Sequence, residues 1–216
     1  MDKVKSSRGK FILIIIFSYG LLVIGGVTIY WSLINIREQN RYLENVYTNQ
    51  YSNIAAYYAK QFELMADNTD KIEVDEIYST NYPAYGDVIG SLLIPSLNQV
   101  FPIIQGTGDE ELKKGVGHFA QSVLPGQNDN SVLSGHRNTV FSELGDLIIG
   151  DDLIVITIAG TFTYQIDGIR IVDKDDNTVI VPTDNAILTL TTCYPFDGLD
   201  LKPSERYIVT ASLVLD

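Results

Sequence analysis

A mostly β domain, closed into a barrel or a sandwich, is what the residue pattern predicts, set behind a transmembrane helix and a helical stalk. Three observations carry this. From about residue 87 onward, short β-branched runs alternate with Gly, Pro, Asn and Asp. Before that, residues 34–68 hold no Gly or Pro and repeat apolar positions at helical spacing. At the front, residues 11–33 carry no charged side chain.

The first ten residues hold four basic groups (Lys3, Lys5, Arg8, Lys10) and one acid, Asp2. The 23 residues from Phe11 to Leu33 make roughly 34 Å of helix, enough to cross about 30 Å of hydrocarbon. Tyr30 and Trp31 stand near the far end, where amphipathic rings favour the headgroup level. The positive-inside rule then predicts a single-pass cell-membrane protein with its N-terminus in the cytoplasm and its body outside. The run is too long for the apolar part of an ordinary signal peptide, and no small-x-small cleavage site follows it. The stalk's apolar positions include Leu43, Val46, Ile54, Ala55, Tyr58 and Phe62. Residues 67–85 mix charge, Asn and Pro and read as a linker. The expected division is a basic head at 1–10, an anchor at 11–33, a stalk and linker at 34–78 and a folded domain at 79–216.

Within that domain the runs VIGSLLIPSL, VFPIIQG, SVLSGH, DLIVITIAG, FTYQIDGIRIV, AILTLTTC and RYIVTASLVL supply seven or eight strands. Asp167-Gly168 and Asp176-Asn177 read as turns. Short helices are expected within 110–120 and 139–147. No internal repeat and no nucleotide-binding glycine fingerprint is found.

Composition excludes several functions. The formal charge is −12 and nearly all of the acid lies beyond residue 10, which argues against a nucleic-acid partner. One cysteine rules out an internal disulfide and a Cys-cluster zinc site, and two histidines rule out a His-rich metal centre. Hydrophobic residues make up 45% of the chain, enough for a core.

The side chains able to do covalent chemistry are few. Cys193 ends the apolar run Ala186-Ile187-Leu188-Thr189-Leu190-Thr191-Thr192-Cys193, and Pro195 forces the strand to stop nearby. Such a thiol either packs as a small hydrophobe or faces a groove. A cysteine nucleophile needs a proton-transfer partner, and His118 and His136 are the two imidazoles. Arg206 opens the last strand. If that strand pairs antiparallel with the cysteine strand, Arg206 falls at the same end as Cys193, where a guanidinium can hold an oxyanion. A surface salt bridge with Glu205 or Asp197 is the plainer use of Arg206.

The combination Thr189-Leu190-Thr191-Thr192-Cys193, an arginine after an intervening loop, and Gly135-His136-Arg137 upstream resembles the sortase signature. Over about residues 87–216 the order of Gly90-Ser91-Leu92-Leu93-Ile94-Pro95, Pro102-Ile103, Gly115-Val116-Gly117-His118, Leu124-Pro125-Gly126 and Gly150-Asp151 is similar too. The resemblance implies an eight-stranded sortase-type β-barrel with short helices and a cysteine transpeptidase. Such enzymes cut a C-terminal LPxTG-like sorting signal on secreted proteins after Thr and join the protein to an amine of peptidoglycan. It also implies Cys193 as nucleophile, His136 as acid/base, and Arg206 as the oxyanion or substrate-positioning group. His118 stays structural. Thr191 and Thr192, beside the nucleophile, are candidates for lining the substrate groove. No third carboxylate is nominated.

Tyr194-Pro195-Phe196 and Arg206-Tyr207-Ile208-Val209 resemble class D sortases. Pilin-polymerising class C enzymes share the Gly-His-Arg environment, but no Asp-Pro-aromatic lid motif stands before the barrel. Residues 80–85 are the segment to examine as a groove cover. An inactive binding module on the same barrel is the alternative of another class. No cofactor is expected. Some sortases use calcium, and Glu110-Glu111 and Asp151-Asp152 are candidates by charge alone.

Overall fold

The computed structural model describes residues 73–196 and 202–214, together with positions 19–23, 25–28, 30, 31, 34, 56 and 60. The expected cell-membrane localisation needs correction. Among the described residues no helix is long and apolar enough to cross a membrane. A span requires about 20 continuous apolar helical residues. Of the stretch expected to supply it, positions 19–23, 25–28, 30 and 31 are among the described residues and are helical. The remaining positions of the expected anchor, the basic head and most of the expected stalk lie outside the described residues.

The part expected as linker contains helix α1 (Val74–Thr80). Its Tyr78 is only 4% exposed and joins the core of the barrel. The Tyr78 hydroxyl donates to the Pro125 carbonyl at 2.9 Å and lies 2.8 Å from Thr157 Oγ1, so the buried polar atom is satisfied.

Eight strands follow: β1 (Val88–Ile94), β2 (Gln99–Gln105), β3 (Val116–His118), β4 (Asn130–Ser134), β5 (Asp152–Thr157), β6 (Gly160–Asp173), β7 (Ile187–Tyr194) and β8 (Glu205–Leu213). They close a barrel in the order β1-β2-β3-β4-β7-β8-β6-β5, with β5 returning to β1. Closure leaves no free sheet edge. The expected early helix is reduced to α2 (Asp109–Leu112), and residues 139–147 form turns ending in one short 3-10 turn, Leu144–Asp146.

Asp176-Asn177 lies in a turn segment as expected, but Asp167-Gly168 does not. Strand β6 runs straight through it, with a register irregularity against β8 between Ile166 and Gly168. A β-carbon on Gly168 would collide with Thr210 Oγ1. The glycine serves close strand approach at a bulge rather than a reversal.

Interior-facing residues alternate along the strands that carry the chemistry. Leu188 and Leu190 of β7, Leu133 of β4, and Val209 and Ala211 of β8 all belong to the apolar core. Their neighbours of opposite parity face outward, and Thr191, Cys193, Ser134 and Arg206 are among them.

His118 has no exposed surface and ties three parts of the wall together. It pairs with Gln105 of β2 and Leu133 of β4. Its Nε2–H donates to the Val123 carbonyl at 2.9 Å, and Nδ1 lies 2.7 Å from the Gln105 amide. Ser122 Oγ, 3.2 Å from Nε2, accepts the Val132 amide of β4. Burial, the larger influence, holds the His118 pKa below the ordinary histidine range, against the pull of the Val123 carbonyl. The unfolded chain therefore takes up this proton first as pH falls, and stability rises with pH wherever the unfolded state binds more protons. The stabilisation is fully present above the ordinary value of about 6.5 and is lost as pH falls from there toward the lower folded value. In urea unfolding, the stability difference between wild type and His118→Gln is expected to be largest at neutral pH and to shrink as pH is lowered below about 6.5. A difference that is flat with pH would show that burial does not perturb this histidine.

Candidate active site

Strand β7 is hydrogen-bonded on both sides. It runs parallel to β4 with Ser134 opposite Thr191, and antiparallel to β8 with Cys193 opposite Arg206. The second pairing meets the condition under which Arg206 falls beside Cys193. Directly opposed residues share a face, so both side chains stand on the outer wall. Cys193 is a half-buried free thiol.

The first pairing brings in His136. The β4–β7 register continues past the end of β4, because the Gly135 amide donates to the Thr191 carbonyl at 3.1 Å. His136 follows Gly135 directly, just beyond the end of β4. Gly135 is required here. A β-carbon on it would stand 2.5 Å from Phe141 Cδ2 and 2.7 Å from Val140 Cγ2. Those two residues fold back beneath the histidine, with the Phe141 amide donating to the His136 carbonyl at 3.1 Å. The three residues singled out in the sequence thus meet at the same end of three adjacent strands.

Arg206 is half-buried, and its Nη1 donates to the carbonyls of Pro203 at 3.1 Å and Glu205 at 2.9 Å. These bonds anchor the guanidinium without a carboxylate partner among the described residues; of the two expected salt-bridge partners Glu205 is not paired with it, and Asp197 lies outside the described residues. Arg137, the third residue of Gly135-His136-Arg137, has no role legible from sequence. Its Nη1 donates to the Pro195 carbonyl at 2.6 Å. That bond ties the turn after His136 to the turn after Cys193. Adjacency to the histidine was the only signal in the sequence, and side-chain direction is not legible from adjacency.

Thr191 and Thr192 separate. Thr191 is half-buried and shares the face of Cys193, as a groove residue requires. Thr192 is 3% exposed, faces the other way and donates its Oγ1 proton to the Gly135 carbonyl at 2.8 Å. Its expected place in the groove is therefore corrected: it fixes the Gly135 backbone from the core side.

Beside Cys193, Tyr194, Phe196 and Tyr207 form an aromatic group. Tyr194 stacks on Tyr207 at 6.2 Å, and Phe196 meets Tyr207 edge-on at 5.1 Å. The Phe196 ring also lies against Gly145. Burial, Asp146 and Tyr194, in that order, raise the Tyr207 pKa and keep its phenol neutral. The cluster closes this end of the barrel and supports the turn after Cys193.

Residues 80–85 do not cover the thiol. Tyr85 lies against Gly106 and the Gly86 amide bonds Gln105, at the end of β2, three strands from β7 around the ring. Two clefts, of about 420 Å³ beside Tyr78 and Tyr82 and about 390 Å³ beside Asn128 and Asn185, include none of the three residues above in their walls. Among the described residues no three His, Cys, Asp or Glu side chains group closely enough to hold a metal. Glu110 is paired with Lys113 at 2.7 Å, and Asp151 accepts the Ile148 amide at 3.0 Å.

The sortase-domain family profile matches residues 92–214. Sortase D of Bacillus subtilis (strain 168) is 45% identical over 128 residues, covering 59% of this chain and 64% of that protein. The matched region thus spans just under two thirds of that relative. Among solved structures, a Clostridium perfringens Sortase D5 transpeptidase superposes with a TM-score of 0.62 at 26% identity, covering 76% of this chain and 100% of that one. Clostridium perfringens sortase C with the C-terminal cell wall sorting motif gives 0.61 at 28%, covering 74% and 99%. Backbone similarity alone does not separate class D from class C here, and the class D likeness rests on the 45% identity. With the site geometry and these matches in agreement, the chain belongs to the sortase family of cysteine transpeptidases and is most like its class D members.

Proposed function

We propose that this chain cleaves an LPxTG- or LPxTA-type sorting signal after Thr and transfers the released acyl group to a cell-wall amine, as a class D-like surface-protein anchoring sortase. The observation that carries the reading is the register. Cys193 stands opposite Arg206 on one side, and His136 follows the end of β4, the strand that pairs parallel with β7 on the other.

In this scheme the Cys193 thiolate attacks the Thr carbonyl carbon and a C–S bond forms. The negative charge moves to the carbonyl oxygen, where the Arg206 guanidinium stabilises it. Among the described residues, both Arg206 bonds to backbone carbonyls come from Nη1, and the guanidinium has further N–H donors to offer this oxyanion. Collapse breaks the C–N bond, and protonated His136 gives its proton to the leaving amine. A thioester remains on Cys193. The incoming amine attacks it, His136 takes the surplus proton, and collapse expels the thiolate. Atoms and charge return to their starting state without a cofactor.

Incubation of the full chain with LPxTG and LPxTA peptides varied at the third position, with triglycine as the amine, tests this by mass spectrometry. A thioacyl adduct on the wild type that passes to the amine, and is absent from Cys193→Ala, is expected. No adduct with any peptide from a folded wild type favours the binding-module alternative. Arg206→Ala is expected to lower kcat by about 10²-fold or more while Cys193 still reacts with iodoacetamide. An unchanged kcat would remove Arg206 from the oxyanion role.

Because the scheme routes no step through a metal, EDTA is expected to leave the turnover rate unchanged. A loss of activity restored by calcium would show that a cation site contributes.

A further inference from the structure

Asn130 and Thr189 lie on the outer face of β4 and β7, yet they are only 7% and 0% exposed. The connection between β6 and β7, residues 174–186, is what lies over them. Asn130 Nδ2 donates to the Val179 carbonyl at 3.1 Å and to the Val181 carbonyl at 3.5 Å. Thr189 Oγ1 donates to Asn130 Oδ1 at 2.8 Å, which fixes which way the amide points. Asp129 adds a second anchor. Its Oδ1 accepts the Thr183 amide at 2.7 Å, and its carbonyl accepts the Ile187 amide at 3.0 Å. Arg170 adds a third, from Nη1 to Thr178 Oγ1 at 3.3 Å and from Nη2 to the Thr178 carbonyl at 3.2 Å.

Asp129 reaches its anchor in a strained backbone conformation, with φ of 142°. Side chains other than glycine rarely adopt it, and it persists only where the surroundings over-determine it. Here they do, because Oδ1 also accepts the adjoining Asn130 amide at 2.7 Å. The strain therefore aims one carboxylate at two amides, one on β4 and one on the connection.

Thr189 and Cys193 are four residues apart on one face of one strand, about 13 Å. An extended peptide laid on this face with its scissile carbonyl at Cys193 reaches the latched segment in about four residues. We propose that Asp129 and Asn130 are positioning residues that hold residues 178–183 as a preset wall of the substrate groove. The proposal rests on the reading of Cys193 as nucleophile. A wall held by the protein's own bonds spares the peptide the entropy of ordering it, so the latch acts on peptide binding and not on the chemical step.

The test uses the full chain with the LPxTG and LPxTA peptides and triglycine. Asn130→Ala and Asp129→Gly are compared with wild type and with Cys193→Ala. Glycine is at ease at this φ, so Asp129→Gly removes the carboxylate while relieving strain, and it keeps the test open if Asn130→Ala fails to fold. Each variant is expected to raise KM for the peptide by about tenfold with kcat nearly unchanged, the size of a lost buried hydrogen bond. Iodoacetamide alkylation of Cys193 should keep its rate and pH profile, and hydrogen exchange at residues 179–183 should accelerate. Faster exchange with an unchanged KM would reduce the latch to a purely structural feature and overturn the proposal. A fall in kcat together with slower alkylation would overturn it by placing the effect on the nucleophile. A wild type without Cys193-dependent product would fell the underlying reading, and the proposal with it.

Discussion

Everything at the site depends on β7 being held from both sides, parallel to β4 and antiparallel to β8. Neither pairing alone assembles the three residues. The β8 pairing delivers Arg206, and the β4 pairing delivers His136 from 57 residues earlier in the chain. A shift of one residue in either register would turn Cys193 inward or move its partner away. Two kinds of contact prevent it. A slip would expose Leu188 and Leu190 on one strand or Val209 and Ala211 on the other, at roughly 1.5–3 kcal/mol for each large side chain. It would also break the side-chain bonds from Thr189 to Asn130 and from Thr192 to Gly135, which are specific to this register.

What was legible in the sequence follows from how far each interaction reaches along the chain. The strands show because β-branched runs and turn residues are local signals. Arg206 was placed correctly because β7 and β8 are consecutive, and an antiparallel pair of consecutive strands is the simplest connection. A link between the end of β4, which His136 follows, and the cysteine strand was legible only through the motif. Parallel pairing of β4 with β7 is a long-range fact that no local pattern states. Asp167-Gly168 misled because an Asp-Gly pair favours a turn by its own conformational preference. The partner strand β8 decided otherwise, through the close approach of Thr210 to Gly168.

The polar residues that organise the outer face were hidden for a related reason. Asp129, Asn130 and Asn128 read as loop punctuation, since Asn and Asp cluster in turns whatever else they do. Nothing in that composition distinguishes an exposed turn from a buried latch. Arg137 was likewise present in a quoted motif, yet its reach to the Pro195 carbonyl depends on two turns converging in space. His118 shows the reverse. Its assignment as structural came from the resemblance, and its complete burial among Gln105, Val123 and Ser122 supplies the physical basis. A histidine kept neutral by burial is poorly suited to deliver protons to a groove.

The two faces of β7 consequently do different work, and parity along one strand sorts them. Leu188, Leu190 and Thr192 face the core, where they set the register and hold the Gly135 backbone. Thr189, Thr191 and Cys193 face outward, with Thr189 bonded to Asn130 beneath the β6–β7 connection and Cys193 opposite Arg206. The aromatic group of Tyr194, Phe196 and Tyr207 ends the core side and braces the turn after the thiol. Substitutions on the first set should act through folding and those on the second through binding or chemistry, although the residues alternate in sequence. Thr192 is the instructive case. It adjoins Cys193 and shares its strand with Thr191, and chain proximity alone would assign both threonines one role. The pleat assigns them two. The apolar face fixes the strand, while the outer face carries Thr189 beneath the β6–β7 connection and Cys193 opposite Arg206.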